Sequence, residues 1–149
     1  MIRKLLIANR GEIACRIARS AAEMGIETLA ITSDADVQAM HVLACDDVVY
    51  LGGNTPEESY LRGEDIIAAG RARGADAIHP GYGFLSEDPE FAQAVIDAGL
   101  IWVGPPPSAI RAMGLKDSAK VLMQAANVPV VPGYHEADQS LDVLQQAAQ

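Results

Sequence analysis

The chain has 149 residues, half of them hydrophobic, and a formal net charge of −9. That length suffices for a packed core, and no apolar run approaches the roughly 20 residues of a membrane span. Acidic balance with scattered Lys and Arg excludes a broad nucleic-acid face, so neither nucleic acid nor membrane is expected as a partner. The apolar run Leu5 to Ala8 is too short for a signal-peptide core, which predicts a cytoplasmic or, in a eukaryote, an organellar protein. Cys15 and Cys45 form neither a CxxC pair nor a metal-ligand spacing and are expected as buried free thiols.

In chain order, Lys4 to Ala8 predicts a first strand. Over residues 11–24, Ile13, Ile17, Ala21 and Met24, with Ala14 and Ala18 alongside, give a helical stripe closed by Gly25. Thr28 to Thr32 predicts a second strand, Val37 to Leu43 a short helix and Asp47 to Leu51 a third strand. After the loop Gly52 to Pro56, a helix is expected from about Ser59 to Arg73, cationic at its carboxyl end. Asp76 to His79 predicts a fourth strand. The next helix opens on an N-cap, Ser86 or Asp88, with Pro89 at its first position, and buries Phe91, Val95 and Ala98. Ile101 to Val103 predicts a fifth strand. Gly104-Pro105-Pro106-Pro107 forms a stiff linker, and a domain boundary is expected there. Beyond it, Ser108 is expected to cap a short helix ending at Met113-Gly114, and further helices are expected over about 117–126 and 140–149. Strands alternating with helices predict an α/β, doubly wound, mostly parallel five-stranded sheet of Rossmann-like build, with ligand loops at the strand carboxyl ends.

Four segments could carry chemistry. Asn9-Arg10-Gly11 forms the first strand–helix turn, where Arg10 either meets an anion or pairs with a nearby acid. A single glycine there is not a dinucleotide fingerprint. Glu12, Arg16, Arg19 and Glu23 share the polar face of the first helix, as a solvated face with i,i+4 bridges or as a protein interface. His79 to Glu87 sets two glycines and two aromatics after a strand, either as a structural loop or as one that lets a ligand approach the backbone closely. Lys116 stands before a helix start, as an exposed lysine or a phosphate contact. His41, His79 and His135 have no metal-ligand spacing, and no residue qualifies as a catalytic nucleophile or base.

Together these segments resemble one family. Lys4 to Ala14 is similar to the opening of biotin carboxylases, Ala77 to Glu87 to their most recognisable stretch, and Gly104-Pro105 with Ile110 to Lys116 to the entry of their ATP-grasp domain. The resemblance implies residues 1–104 as the N-terminal α/β domain and 105–149 as the linker and incomplete start of an ATP-grasp domain. It implies ATP-dependent carboxylation of biotin by bicarbonate through carboxyphosphate, with Mg2+ on the nucleotide and biotin on a carrier domain outside this chain. It matches Lys116 to an ATP contact and Tyr82 and Gly83 to the border of the biotin and bicarbonate site. Arg16, Arg19 and Glu23 match positions of a homodimer interface. The Pro80–Asp88 loop and Lys116 are expected to face one cleft. The implied partners are the rest of the biotin carboxylase, the biotin carrier domain and a carboxyltransferase component. The implied compartment is the cytoplasm, or the mitochondrial matrix in a eukaryote.

The family's glycine-rich loop, magnesium-binding glutamates and bicarbonate-binding arginine have no match within 149 residues, so no catalytic residue or metal site is assigned and this polypeptide alone is expected to be inactive. Met113 to Lys116 and Val128 to His135 look closest to the biotin-bearing subunit of methylcrotonyl-CoA carboxylases, although Glu136 stands where a glycine is usual. Propionyl-, acetyl- and geranyl-CoA carboxylases and pyruvate carboxylase stay open. So does a stand-alone nucleotide-binding or dimerisation module.

Overall fold

The computed structural model describes residues 1–114, 116–131, 133–134, 138 and 140–147. Its chain divides into two compact units, Met1–Pro107 and Ser108–Gln149. In the first unit the strands are β1 (Lys4–Ile7), β2 (Glu27–Thr32), β3 (Asp47–Tyr50), β4 (Ala77–His79) and β5 (Ile101–Trp102). They form one sheet of order β3-β2-β1-β4-β5, every pair parallel. The expected doubly wound α/β sheet is therefore present and wholly parallel. Its helices are α1 (Gly11–Glu23), α2 (Met40–Ala44), α3 (Gly63–Ala72) and α4 (Pro89–Asp97), with α5 (Pro107–Met113) following. Helices α6 (Lys116–Ala125) and α7 (Leu141–Ala147) belong to the second unit.

Strand alternation sorts the core into two layers. Leu5, Ile7 and Ala77 pack with Ala14, Ile17, Ala18 and Ala21 of α1. Leu6, Ala8, Leu29, Ile31 and Ile78 pack with Ile66 of α3 and with Phe91 and Val95 of α4. Burial on both faces explains why the strands read as near-continuous apolar runs.

The helix ends follow local chemistry, with four departures. Asp88 Oδ1 accepts from the N–H groups of Glu90 and Phe91 at 2.8 and 3.2 Å, with Pro89 at the first helical position. Helix α3 starts at Gly63, later than expected, because residues 55–61 are held in turns: Ser59 Oγ donates to the Thr55 carbonyl at 2.6 Å, and Leu61 N–H to Pro56 O at 2.8 Å. Of the segment expected as a helix over 37–43, residues 37–39 lie outside any helix, and the shorter α2 begins at Met40, after a 3-10 turn at Asp34–Asp36. Pro107 opens α5, so Ser108 lies inside that helix rather than capping it. Met24, expected in the apolar stripe, sits at the end of α1 and is exposed.

Both cysteines are free and half-buried rather than fully buried, and burial pushes the Cys45 thiol up. His41 is completely buried; its Nε2 pairs with the Ile31 carbonyl at 3.2 Å, and its Nδ1 has no partner among the described residues. Burial holds His41 and His79 below the ordinary histidine value. The unfolded chain takes up these protons near pH 6.5 while the folded chain resists them, so stability is unaffected above that pH and falls below it. Thermal unfolding followed from pH 7.5 to 5.5 should show a falling midpoint, with a slope of up to about 1.4 kcal/mol per pH unit for each histidine. His79→Gln should reduce the slope to the part that His41 contributes.

Candidate functional site

Strand order reverses direction between β1 and β4, and in an open parallel sheet ligands gather where the loops diverge from such a point. Asn9 follows β1, and Pro80 to Gly83 follow β4. Asn9 is buried, and its Nδ2 donates to the carbonyls of Pro80 at 2.7 Å and Tyr82 at 2.9 Å. Its Oδ1 accepts from the Arg10 N–H at 2.9 Å. The Gly81 N–H donates to His79 Nδ1 at 3.0 Å. These bonds draw the loop backbone inward and leave the Tyr82 ring outward, 62% exposed. The Tyr82 hydroxyl donates to Glu12 Oε2 at 3.4 Å. A concavity of about 460 Å³ lies between the two loops, lined by Asn9, Arg10, Gly11, Tyr82, Gly83 and Phe84 among others.

Arg10 pairs with an acid. Its guanidinium lies 3.4 Å from Asp36 Oδ1 and over the Tyr60 ring, 5.8 Å from the centroid. Asp36 also accepts from the Tyr60 hydroxyl at 2.8 Å and from Ser33 Oγ at 3.3 Å. Burial, with Asp36 alongside, pushes the Tyr60 phenol up. Arg10 thereby ties the β1 loop to the end of β2, and its charge is locally matched.

On the exposed face of α1, Glu12, Arg16, Arg19 and Glu23 all reach solvent. Among the described residues, neither Glu12–Arg16 nor Arg19–Glu23 closes as the ion pair that the spacing allows. Bridges of this kind are worth only about 0.2–0.5 kcal/mol against side-chain entropy. Arg16 and Arg19 instead border a shallow depression with Glu12, Cys15 and Ser20. Lys116 opens α6, but its side chain lies outside the described residues, as does His135. No group of three or more His, Cys, Asp or Glu gathers to hold a metal among the described residues.

The match to a family model decides the assignment: the biotin carboxylase N-terminal domain matches residues 1–110. The chain belongs to that family. The methylcrotonoyl-CoA carboxylase subunit alpha of Oryza sativa is 54% identical over 143 residues, 96% of this chain and 19% of the relative. The propionyl-CoA carboxylase alpha chain of Ruegeria pomeroyi is 51% identical over 150 residues, 98% of this chain and 22% of that one. The biotin carboxylase domain of Hydrogenobacter thermophilus 2-oxoglutarate carboxylase, a dimer solved with MgADP, ADP and bicarbonate, superposes with a TM-score of 0.88 at 40% identity, covering 99% of this chain and 32% of that chain. The chain thus spans about a fifth of the length of the curated relatives it matches.

Within this biotin carboxylase domain, Tyr82 and Gly83 meet the β1 loop at the point of strand reversal. In the sequence Asn9 stands only as part of a turn, Asp36 only as the end of the Ser33–Asp36 loop at a strand's carboxyl end, and Tyr60 in no candidate segment. A polar Asn ending an apolar strand was the available signal for the first. The other two act across more than 20 residues of sequence, a reach that local spacing does not encode.

Proposed function

We propose that this chain is the N-terminal part of an ATP-dependent biotin carboxylase, in which ATP and bicarbonate carboxylate biotin presented on a carrier domain. The observation that carries the reading is the exposed Tyr82 ring on a glycine-flanked turn at the strand-reversal point of a biotin carboxylase domain. Tyr82 and Gly83 border the biotin and bicarbonate site, the ring offering a flat apolar surface with a polar tip. Lys116 contacts ATP, in a second unit that begins the ATP-grasp domain. Most groups that hold nucleotide, Mg2+ and bicarbonate lie in parts of the longer enzyme that these 149 residues do not span. The acceptor of the carboxyl group is an acyl-CoA, with methylcrotonyl-CoA favoured by 54% identity to the rice subunit and selected by a carboxyltransferase component.

The purified chain should show no bicarbonate-dependent ATP hydrolysis with free biotin, because one lysine and one loop cannot assemble metal, nucleotide and bicarbonate together. Clear turnover would refute that division of labour. Grafted in place of the matching segment of the rice subunit, the same 149 residues should support carboxylation. In that graft Tyr82→Ala should lower kcat/KM for biotin by at least about tenfold, a loss of roughly 1.4 kcal/mol. An inactive but folded graft would count against the assignment.

The four unbridged charges on α1 favour a second role, pairing with another copy. In a two-fold interface Arg19 of one protomer meets Glu23 of its partner twice over. Arg19→Glu should shift the sedimenting species toward monomer, and adding Glu23→Arg should restore the dimer. A double variant no better than the single one would rule out that pairing.

A further inference from the structure

The turn that carries Tyr82 and Gly83 uses backbone that glycine permits at two positions and that is strained at a third. Gly81 and Gly83 have φ of +68° and +63°, and Gly83 has ψ of −164°, a region open in practice only to glycine. Phe84 follows with φ of +45°, where a bulky side chain is an outlier. Such backbone persists only where the surroundings over-determine it.

Two buried side chains from distant segments supply that constraint. Asn9 grips the Pro80 and Tyr82 carbonyls with its Nδ2, at 2.7 and 2.9 Å. Because the peptide unit is planar and trans, a Tyr82 carbonyl held toward Asn9 sends the Gly83 N–H the opposite way. Tyr60, 2% exposed, stacks on the Phe84 ring with centroids 5.5 Å apart and planes 20° apart. Its own position is fixed by the hydrogen bond from its hydroxyl to Asp36. The two contacts bracket Tyr82 and Gly83 in sequence, one on each side.

We infer that Asn9 and Tyr60 are positioning residues for the Tyr82–Gly83 site, holding the strained turn so that the ring and the Gly83 N–H face outward. The inference rests on the reading of that turn as the substrate border, but its test does not need a ligand. Asn9→Asp keeps the shape and replaces both N–H donors with a carboxylate facing two carbonyl oxygens. In 15N-labelled chain at pH 8, amides from Gly81 to Phe84 should shift, and those protected from hydrogen exchange should exchange at least about tenfold faster. Those of β2 should keep their wild-type rates.

Tyr60→Leu, which removes the ring, should displace the Phe84 amide further than Tyr60→Phe, which keeps the ring and loses only the hydroxyl's bond to Asp36. Unchanged turn amides in Asn9→Asp, or equal loosening of turn and β2, would overturn the proposal, as would identical spectra for the two Tyr60 variants. A responsive turn together with an inactive graft would refute the carboxylase reading and leave the clamp standing. An active graft with an unresponsive turn would do the reverse.

Discussion

Ile78→Ala should lower the free energy of unfolding by about 2–5 kcal/mol. Ile78 is completely buried in β4, in register with Leu6 of β1 on one side and Trp102 of β5 on the other. Its side chain reaches the backbone of α3 at Gly70, where an added methyl would lie 3.9 Å from Ile78 Cδ1 and 3.2 Å from Leu6 Cδ1. The site cannot close over a cavity, because β4 is laddered on both edges and α3 is already pressed against the sheet. Against a typical total of about 5–15 kcal/mol, the loss is large. Ile101→Ala is the matched control: it removes the same atoms from a strand residue that is 47% exposed and should cost less than about 1 kcal/mol. Urea titration of both variants should show unequal midpoints with unchanged slopes. Equal costs would contradict the two-layer core.

That contrast bears on what a sequence makes legible. Strand and helix identity could be read because burial on both sheet faces writes itself as apolar runs, as in Leu5 to Ala8. The Asp88–Pro89 helix start could be read because its cap bonds lie within three residues. Likewise Gly81 and Gly83 marked a loop whose backbone a ligand could approach closely, and both take positive φ in the structure. The 3-10 turn at Asp34–Asp36 was harder to see, since Asp36 is held by Tyr60 and Arg10, each more than 20 residues away. Ser59 looked like a helix start, because its bond to the Thr55 carbonyl belongs to a turn that pulls Tyr60 into the core. The charge pattern of α1 marked the solvent-facing side of the helix, where spacing permits an intrahelical bridge without making it favourable. The site follows the same rule. Tyr82 and Gly83 stood out by residue type, whereas Asn9, 71 residues before Pro80 in the chain, acquires its meaning only when parallel pairing sets β1 beside β4.

Gly81→Ala should be a costly single-methyl change, and a glycine elsewhere in the chain allows its cost to be separated into parts. Gly99 has φ of +79° with nothing within 4 Å of an added Cβ, so Gly99→Ala isolates the backbone term, expected near 1 kcal/mol. Gly81 has a similar φ, +68°, but its added Cβ would stand 2.7 Å from Asn9 Nδ2 and 2.9 Å from its Cγ. Asn9 cannot yield like a surface side chain, because both its carbonyl contacts and its bond from Arg10 fix it in a buried position. Displacing it leaves a buried amide short of partners, at about 1–3 kcal/mol. The expected total for Gly81→Ala is therefore about 2–4 kcal/mol, two or more times that of Gly99→Ala. The two loop residues should also be coupled: once Asn9→Ala has removed the obstructing amide, Gly81→Ala should cost less than in the wild-type chain, with the residue 9 Cβ, 3.0 Å from the added methyl, as the remaining obstruction. A double-mutant cycle by urea denaturation measures this directly. Strict additivity of the two substitutions would mean that Asn9 and Gly81 do not share the contact on which the geometry of the Tyr82 turn depends.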